Sequence, residues 1–255
     1  MTLEAIVETV RKGDPDRFLS VMAAPPALRA DLFVLYAFNI EVARAPWASN
    51  EEMIAEMRLQ FWRDVIDAID EGRTAHQHEL VAPLRQVIED HDLPVELFRQ
   101  IIEARRWDIY KDAFADAAEF DQHINHMAGN LMWLAARSVG APDTASQAVH
   151  EYAYGAGVAN WLVAVPELVA RGRIPLLDGR EPALADLASA AYARMQRADK
   201  RMLRQAAPAL RAGWLARRIL QRVIRHPEKV ATGQLGPSEF SRRGSLLIKS
   251  MTGRW

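Results

Sequence analysis

The 255-residue chain contains no cysteine. That absence removes disulfides, thiol nucleophiles and thiolate metal sites, so neither a disulfide framework nor a cysteine-based zinc finger is available. No uninterrupted apolar run approaches the roughly eighteen residues of a membrane-spanning helix, and stretches such as Leu131 to Ala136 soon meet charge. Sustained alternation of period two is missing, which argues against β-strands. Gly/Ser-rich linkers, low-complexity tracts and solenoid-type repeats are missing too, which favours one compact domain. The opening MTLEAIVETVRKGD places acidic residues where a signal or transit peptide carries basic ones. The expected location is therefore cytoplasmic, extended by the charge pattern described below to the inner face of the membrane.

What is present is helical periodicity. Half of the chain is apolar, ample for a core. Apolar residues recur at three and four positions, as in Leu59, Trp62, Ile66 and Ile69. Breakers at Asp14-Pro15, Pro25-Pro26, Pro46, Gly72, Pro94, Gly140-Ala141-Pro142, Pro182, Pro208 and Pro227 divide the chain into about ten helices. The expected architecture is all-α, with one helical domain over residues 1–228 and a C-terminal extension or appended helix over 229–255.

Two stretches carry motifs. LYAFNIEVARAPW (35–47) is followed by MRLQFWRDVIDAI (57–69), and GAGVANWLVAVPELVARGRIPL covers 155–176. Both resemble the signatures of squalene and phytoene synthases. In that family a Tyr-x-Phe start leads into an Asp-rich helix followed by a Trp-Arg helix; Tyr36, Phe38, Trp62 and Arg63 match. The second signature has an Asn before an Asp-x-x-Glu-Asp cluster and an Arg-Gly-Arg close; Asn160, Glu167, Arg171, Gly172 and Arg173 match. Between them, FDQHINHMAGNLMWLAARSVG (120–140) is similar to the helix with a central Ala-Gly that the family packs beside its pocket. The resemblance runs from about residue 16 to 225 and implies a single-domain isoprenoid synthase-like helical bundle.

The family's reaction ionises a prenyl diphosphate, whose charge is neutralised by magnesium held between facing carboxylates. Aligned on the motifs, the first carboxylate pair falls on Ala43 and Trp47 and the second on Ala164 and Leu168. None of these side chains ligates a hard cation. Pro46 and Pro166 stand where they are expected to interrupt or bend the ligand-bearing helices. Asn39, Glu41, the 57–62 run and the proline in the second motif are most similar to a non-catalytic branch of the family, the mitochondrial complex I assembly factors and their bacterial relatives. The resemblance implies a non-enzymatic assembly or scaffolding role, respiratory complex I subunits or assembly intermediates as partners, and no cofactor. Two alternatives stay open. One is a head-to-head prenyltransferase that recruits magnesium through Glu41 and Glu167, with Tyr36, Asn160, Arg171 and Arg173 holding substrate. The other is a prenyl-lipid or quinone binding protein, a reading that holds only where the large side chains of Trp47, Trp133 and Trp161 leave the tunnel open.

Other clusters read as surface. Asp108, Asp112 and Asp116 are spaced for one acidic helix face, and Asp64, Asp67 and Asp70 for another. His123 and His126 lack a companion ligand, and His76 and His78 fall in a loop. Residues 194–255 hold 15 Lys/Arg against 3 Asp/Glu, while residues 1–193 hold 17 against 30. Within that basic third, Arg211, Arg218, Arg222 and Arg225 form a narrow stripe on one helix over 210–225, fitted to an anionic membrane surface, an acidic partner or the acidic body of the chain itself. No nucleic-acid motif accompanies these residues.

Overall fold

A computed structural model describes residues 3–49, 51–74 and 77–255. Fourteen α-helical segments, and no strand, are found among them. They are α1 (Leu3–Gly13), α2 (Pro15–Met22), α3 (Arg29–Arg44), α4 (Glu52–Asp70), α5 (Val81–Asp90), α6 (Val95–Ala104), α7 (Trp107–Tyr110), α8 (Ala117–Ile124), α9 (Asn130–Ser138), α10 (Ser146–Ala170), α11 (Glu181–Arg197), α12 (Ala207–Leu210), α13 (Ala216–Arg225) and α14 (Glu239–Met251). α7 and α12 are single turns. α8 and α9 form one rod, joined by a π-helical turn at Asn125–Gly129.

Two helices are apolar on every side and so lie inside the bundle. α3 buries Leu32 through Ile40 together with Val42. α10 buries fourteen residues, from Ala148 to Leu168. Around them α1 and α9 pack on α3, α4 and α6 pack on each other, and α11 and α13 close over α10. Phe38 sits in the core of the first half, edge-on to Trp62 at 5.7 Å and to Phe98 at 5.2 Å. The second half closes by backbone approach: a Cβ on Gly157 of α10 falls 2.6 Å from the Ala128 Cβ in the π-helical turn.

The all-α, single-bundle expectation holds, and the breakers mark real ends at Pro15, Pro46, Gly72 and Gly140. Pro166 does not: α10 runs through it to Ala170. A proline removes one amide donor, and here the loss falls in the last turns of a helix otherwise held by burial on most sides. The stretch Asp143–Ala170 is long and apolar enough to cross a membrane although no unbroken apolar run marks it, and 61% of its most apolar window is packed inside the protein.

The C-terminal third departs from the single helix expected over 210–225. α12 gives way to a 3-10 turn at Arg211–Gly213, and α13 starts only at Ala216. Arg211 therefore leaves the stripe and is buried, donating to the carbonyls of Ala23 at 3.0 Å and Arg254 at 3.3 Å. Arg218, Arg222 and Arg225 remain on α13. Within the 229–255 segment Glu239–Met251 forms α14, whose Leu246 is buried.

Candidate functional site

A cavity of about 550 Å³ opens between α2, α10, the π-helical turn and the α12–α13 corner. Asp14 caps α2 by accepting the Arg17 amide at 2.9 Å, with Pro15 pre-set for the first turn. That cap sets Asp14, Asp16 and Arg17 on the rim. The π-helical turn brings Met127 and Ala128 to the wall, and α10 supplies Gly157, Asn160, Trp161, Ala164, Glu167 and Leu168. A π turn shifts side-chain phase by one residue and recurs at functional pockets.

Of the motif residues, Asn39, Trp47, Asn160, Ala164, Glu167, Leu168 and Arg171 meet at this one cavity. Tyr36 borders a separate small void beside Asn160 and is fully buried, so its hydroxyl is pushed up to about 12. Arg173 adjoins through Trp47. Phe38 and Trp62 are core, and neither Ala43 nor Glu41 lines the cavity; Glu41 lies 3.8 Å from Arg44. Trp161 lines the wall and donates to the Pro175 carbonyl at 2.8 Å, whereas Trp133 packs away from the cavity, beside His150.

Each acid at the cavity has an arginine nearby, although Arg242 also holds Glu239 at 2.8 Å and Asp16 Oδ1 has no hydrogen-bond partner. Asp14 meets Arg17 at 2.8 Å, Asp16 meets Arg242 at 3.3 Å, Asp108 meets Arg105 at 3.4 Å and Glu167 meets Arg171 at 2.7 Å. Trp47 lies under two guanidinium groups, Arg171 at 4.4 Å and Arg173 at 4.8 Å from its ring centre. Burial pushes the Asp16 and Asp108 carboxyls up, opposed by their arginines. It pushes the Arg105 and Arg173 guanidinium groups down. Three N–H donors at the cavity have no partner: Nε of Arg105, Nε of Arg242 and Nε1 of Trp214. Among the described residues no group of three or more His, Asp or Glu is gathered as a metal site requires.

Sequence reasoning missed the other half of this lining. Arg17, Arg105, Trp214 and Arg242 come from segments with no motif; the only local signal is the Asp14-Pro15 cap. Asp108 was expected on a solvated acidic face and is instead buried, 4% exposed, against Arg105; the helix carrying it ends at Tyr110, where Lys111 turns left-handed. Asp112 thus falls beyond the helix and Asp116 caps the next one, accepting from the Glu119 amide. Asp67 and Asp70 do lie near the surface, where Arg99 bridges them at 2.7 Å each. His123 is buried among Trp107, Phe114, Phe120 and Trp161, and burial holds its imidazole down at about 3. His78 is half-buried against Trp62 rather than solvated. His76 lies outside the described residues.

Residues 10–177 match the family model for squalene/phytoene synthase. Curated relatives include the NADH dehydrogenase (ubiquinone) complex I, assembly factor 6, of Bos taurus, 27% identical over 169 residues, with 66% of this chain and 50% of that protein covered. The Homo sapiens protein of the same name is 26% identical over 161 residues, 63% and 48% covered. The homolog from Drosophila melanogaster is 28% identical over 174 residues, 66% and 52% covered. The chain thus spans about half the length of the curated relatives it matches. Among solved structures, a dehydrosqualene synthase in complex with ligand superposes with TM-score 0.75 at 14% identity, covering 98% of this chain and 95% of the other. The squalene synthase HpnC from Alicyclobacillus acidocaldarius superposes with TM-score 0.61 at 19% identity, covering 98% and 94%. At these identities the superpositions speak for the fold, and the family model speaks for descent. The chain belongs to the squalene/phytoene synthase family.

Proposed function

We propose that this chain is a non-catalytic member of its family and serves as a helper in the assembly of respiratory complex I. The observation that carries the first half is the pairing at the cavity. Each lining carboxylate, Asp14, Asp16, Asp108 and Glu167, has an arginine within 2.7 to 3.4 Å. A magnesium clamp needs carboxylates that are ionised, facing and free, and the motif-aligned positions hold Ala43, Trp47, Ala164 and Leu168 instead. Trp47 takes the two arginines of the Arg-Gly-Arg close onto its ring face. These residues do not fit magnesium, and no cofactor is invoked. The second half is supported by the assembly-factor names of the relatives, and in this reading the partners are complex I subunits or assembly intermediates.

The test has two arms. Purified protein with magnesium and labelled farnesyl or geranylgeranyl diphosphate is expected to give no product, beside an active family member as control; chelator-sensitive turnover overturns the non-catalytic reading. Deleting the gene in its host is expected to lower assembled complex I and the matching NADH oxidation, with restoration by the wild-type gene. Unchanged complex I overturns the assembly reading alone.

A second reading is favoured by the three unpartnered donors. A cavity of about 550 Å³ with Arg105, Trp214 and Arg242 N–H groups unpaired suits a small amphipathic ligand bearing acceptor oxygens, such as a prenyl lipid or quinone held without turnover. Calorimetric titration with a short-chain quinone checks it: saturable heat that Trp214→Phe weakens supports binding, and absence of heat removes it.

A further inference from the structure

Helix α14 is amphipathic with its faces reversed. At 3.6 residues per turn, Arg242, Leu246 and Lys249 share one face and Phe240, Leu247, Ile248 and Met251 the opposite one. The charged face is the one turned onto the protein. Arg242 reaches Asp16 at 3.3 Å, and Lys249 Nζ donates to the carbonyls of Trp214 at 3.2 Å and Trp255 at 2.8 Å. The apolar face is turned to water, with Phe240 90%, Leu247 62%, Ile248 63% and Met251 78% exposed. Gly244 lies in the same outward arc and has open space above it. Four large apolar side chains gathered on one exposed helix face form a patch rather than the scattered singles of an ordinary surface.

The flanks of the patch are mostly basic. On the Ile248 edge Arg218 donates to the Ser241 hydroxyl at 2.8 Å, and Arg218, Arg222, Arg225 and Lys229 line a groove between α13 and α14. On the other edge stands Arg243, 73% exposed, beside Glu239 at 3.5 Å, the one acid on this face. The segment 194–255 that builds this end holds 15 Lys/Arg against 3 Asp/Glu. A second copy of the chain docked through the same patch about a two-fold axis has a single acid, Glu239, already paired to Arg242 and Arg243, to set against these arginines and Lys229. A bilayer with anionic headgroups meets both features at once, taking apolar side chains at the headgroup boundary and pairing phosphates with the arginines.

We propose that α14 and the α13 groove dock this protein onto an anionic lipid surface, with Phe240, Leu247, Ile248 and Met251 entering the interface. The proposal concerns the isolated chain and stands whether or not the protein assists complex I. Because Gly236 and Pro237, which lead into α14, also line the cavity, docking sets the cavity rim beside the lipid.

The experiment is co-sedimentation of the full chain with vesicles of phosphatidylcholine alone or mixed with phosphatidylglycerol, at low and high salt. Binding is expected to the mixed vesicles only, falling with salt. The paired substitution Phe240→Ser with Met251→Ser is expected to weaken it by at least about tenfold while leaving the thermal midpoint unchanged, since both side chains face solvent. Arg225→Glu is expected to weaken binding through charge alone. Absence of binding to mixed vesicles, or binding indifferent to both changes, overturns the proposal. So does a dimer that the Phe240/Met251 variant dissociates and that shows no vesicle affinity, because a second copy then covers the face.

Discussion

Arg105 and Asp108 are the most deeply buried ion pair at the cavity, and removing one charge gives a prediction with a calculable size. Arg105 Nη1 and Asp108 Oδ2 are 3.4 Å apart, with side chains 14% and 5% exposed. Burial opposes charge on both, raising the Asp108 carboxyl and lowering the Arg105 guanidinium, while each partner offsets part of the other's cost. In Arg105→Met the carboxyl is left with Arg173 nearby, but that guanidinium is already committed to the Asp108 main-chain carbonyl. Breaking a buried pair from one side costs about 3–5 kcal/mol. An unfolding entropy of about 2.1 cal/mol/K per residue makes 1 kcal/mol worth about 2 °C in a chain this long, so the expected fall is roughly 6–9 °C. Arg105→Met with Asp108→Leu removes both charges and is expected to recover most of that loss, since buried pairs replaced by apolar groups are often neutral or stabilising. Thermal and urea denaturation of the four proteins closes the cycle. The pH dependence supplies a second check. The stranded carboxyl has a raised folded value, so the folded state binds its proton more tightly. Arg105→Met is therefore expected to regain stability, relative to the double variant, as pH falls from 7 toward the unfolded value of about 3.9. Additivity within about 0.5 kcal/mol refutes the coupling.

Three further outcomes are expected. Gly157→Ala places a Cβ 2.6 Å from Ala128 Cβ and 2.8 Å from Ile124 Cγ2, so overpacking of about 1–3 kcal/mol outweighs the roughly 1 kcal/mol gain in helix propensity. A lower denaturation midpoint, partly restored by adding Ala128→Gly, is the checking result. Lys249 is held down at about 8, by burial first and then by Arg217 and Arg218, so its folded state sheds the proton before the unfolded state does. Stability of the wild type relative to Lys249→Met is expected to rise between about pH 8 and 10.4, read from paired thermal melts. His123→Phe removes an unpaired buried Nε2 from an aromatic cage. The wild type is expected to lose stability relative to this variant as pH falls from about 6.5 toward 3, because its buried imidazole resists protonation that the unfolded chain accepts.

Helical periodicity made α3, α4 and α10 legible in the sequence, because burial of those helices is written as apolar residues at three and four spacings. Breakers were less uniform guides. Pro46 ends α3 into a 3-10 turn, whereas Pro166 stays inside α10, so the residue alone does not decide where a helix stops. The Arg211 stripe failed for a related reason: wheel geometry assumes one unbroken helix, and the turn at Arg211–Gly213 rotates that arginine inward. At the cavity, the motif residues on α3 and α10 were findable because helical spacing puts them on shared faces. Arg17, Arg105, Trp214 and Arg242 were not, since they reach the same cavity from α2, the α6–α7 corner, the α12–α13 corner and α14, and no spacing rule links segments so far apart in the chain. The omission matters chemically. Reading the motifs alone shows that positions 43, 47, 164 and 168 carry no carboxylate, which leaves neighbouring acids as substitutes. The tertiary structure sets an arginine against each acid that lines the cavity, so a substitute ligand has to displace a guanidinium before it can reach a cation. Two of those arginines, Arg105 and Arg242, join Trp214 in giving the cavity its unpaired donors, and a pocket whose acids face guanidinium groups while N–H groups stand open is one fitted to acceptor oxygens.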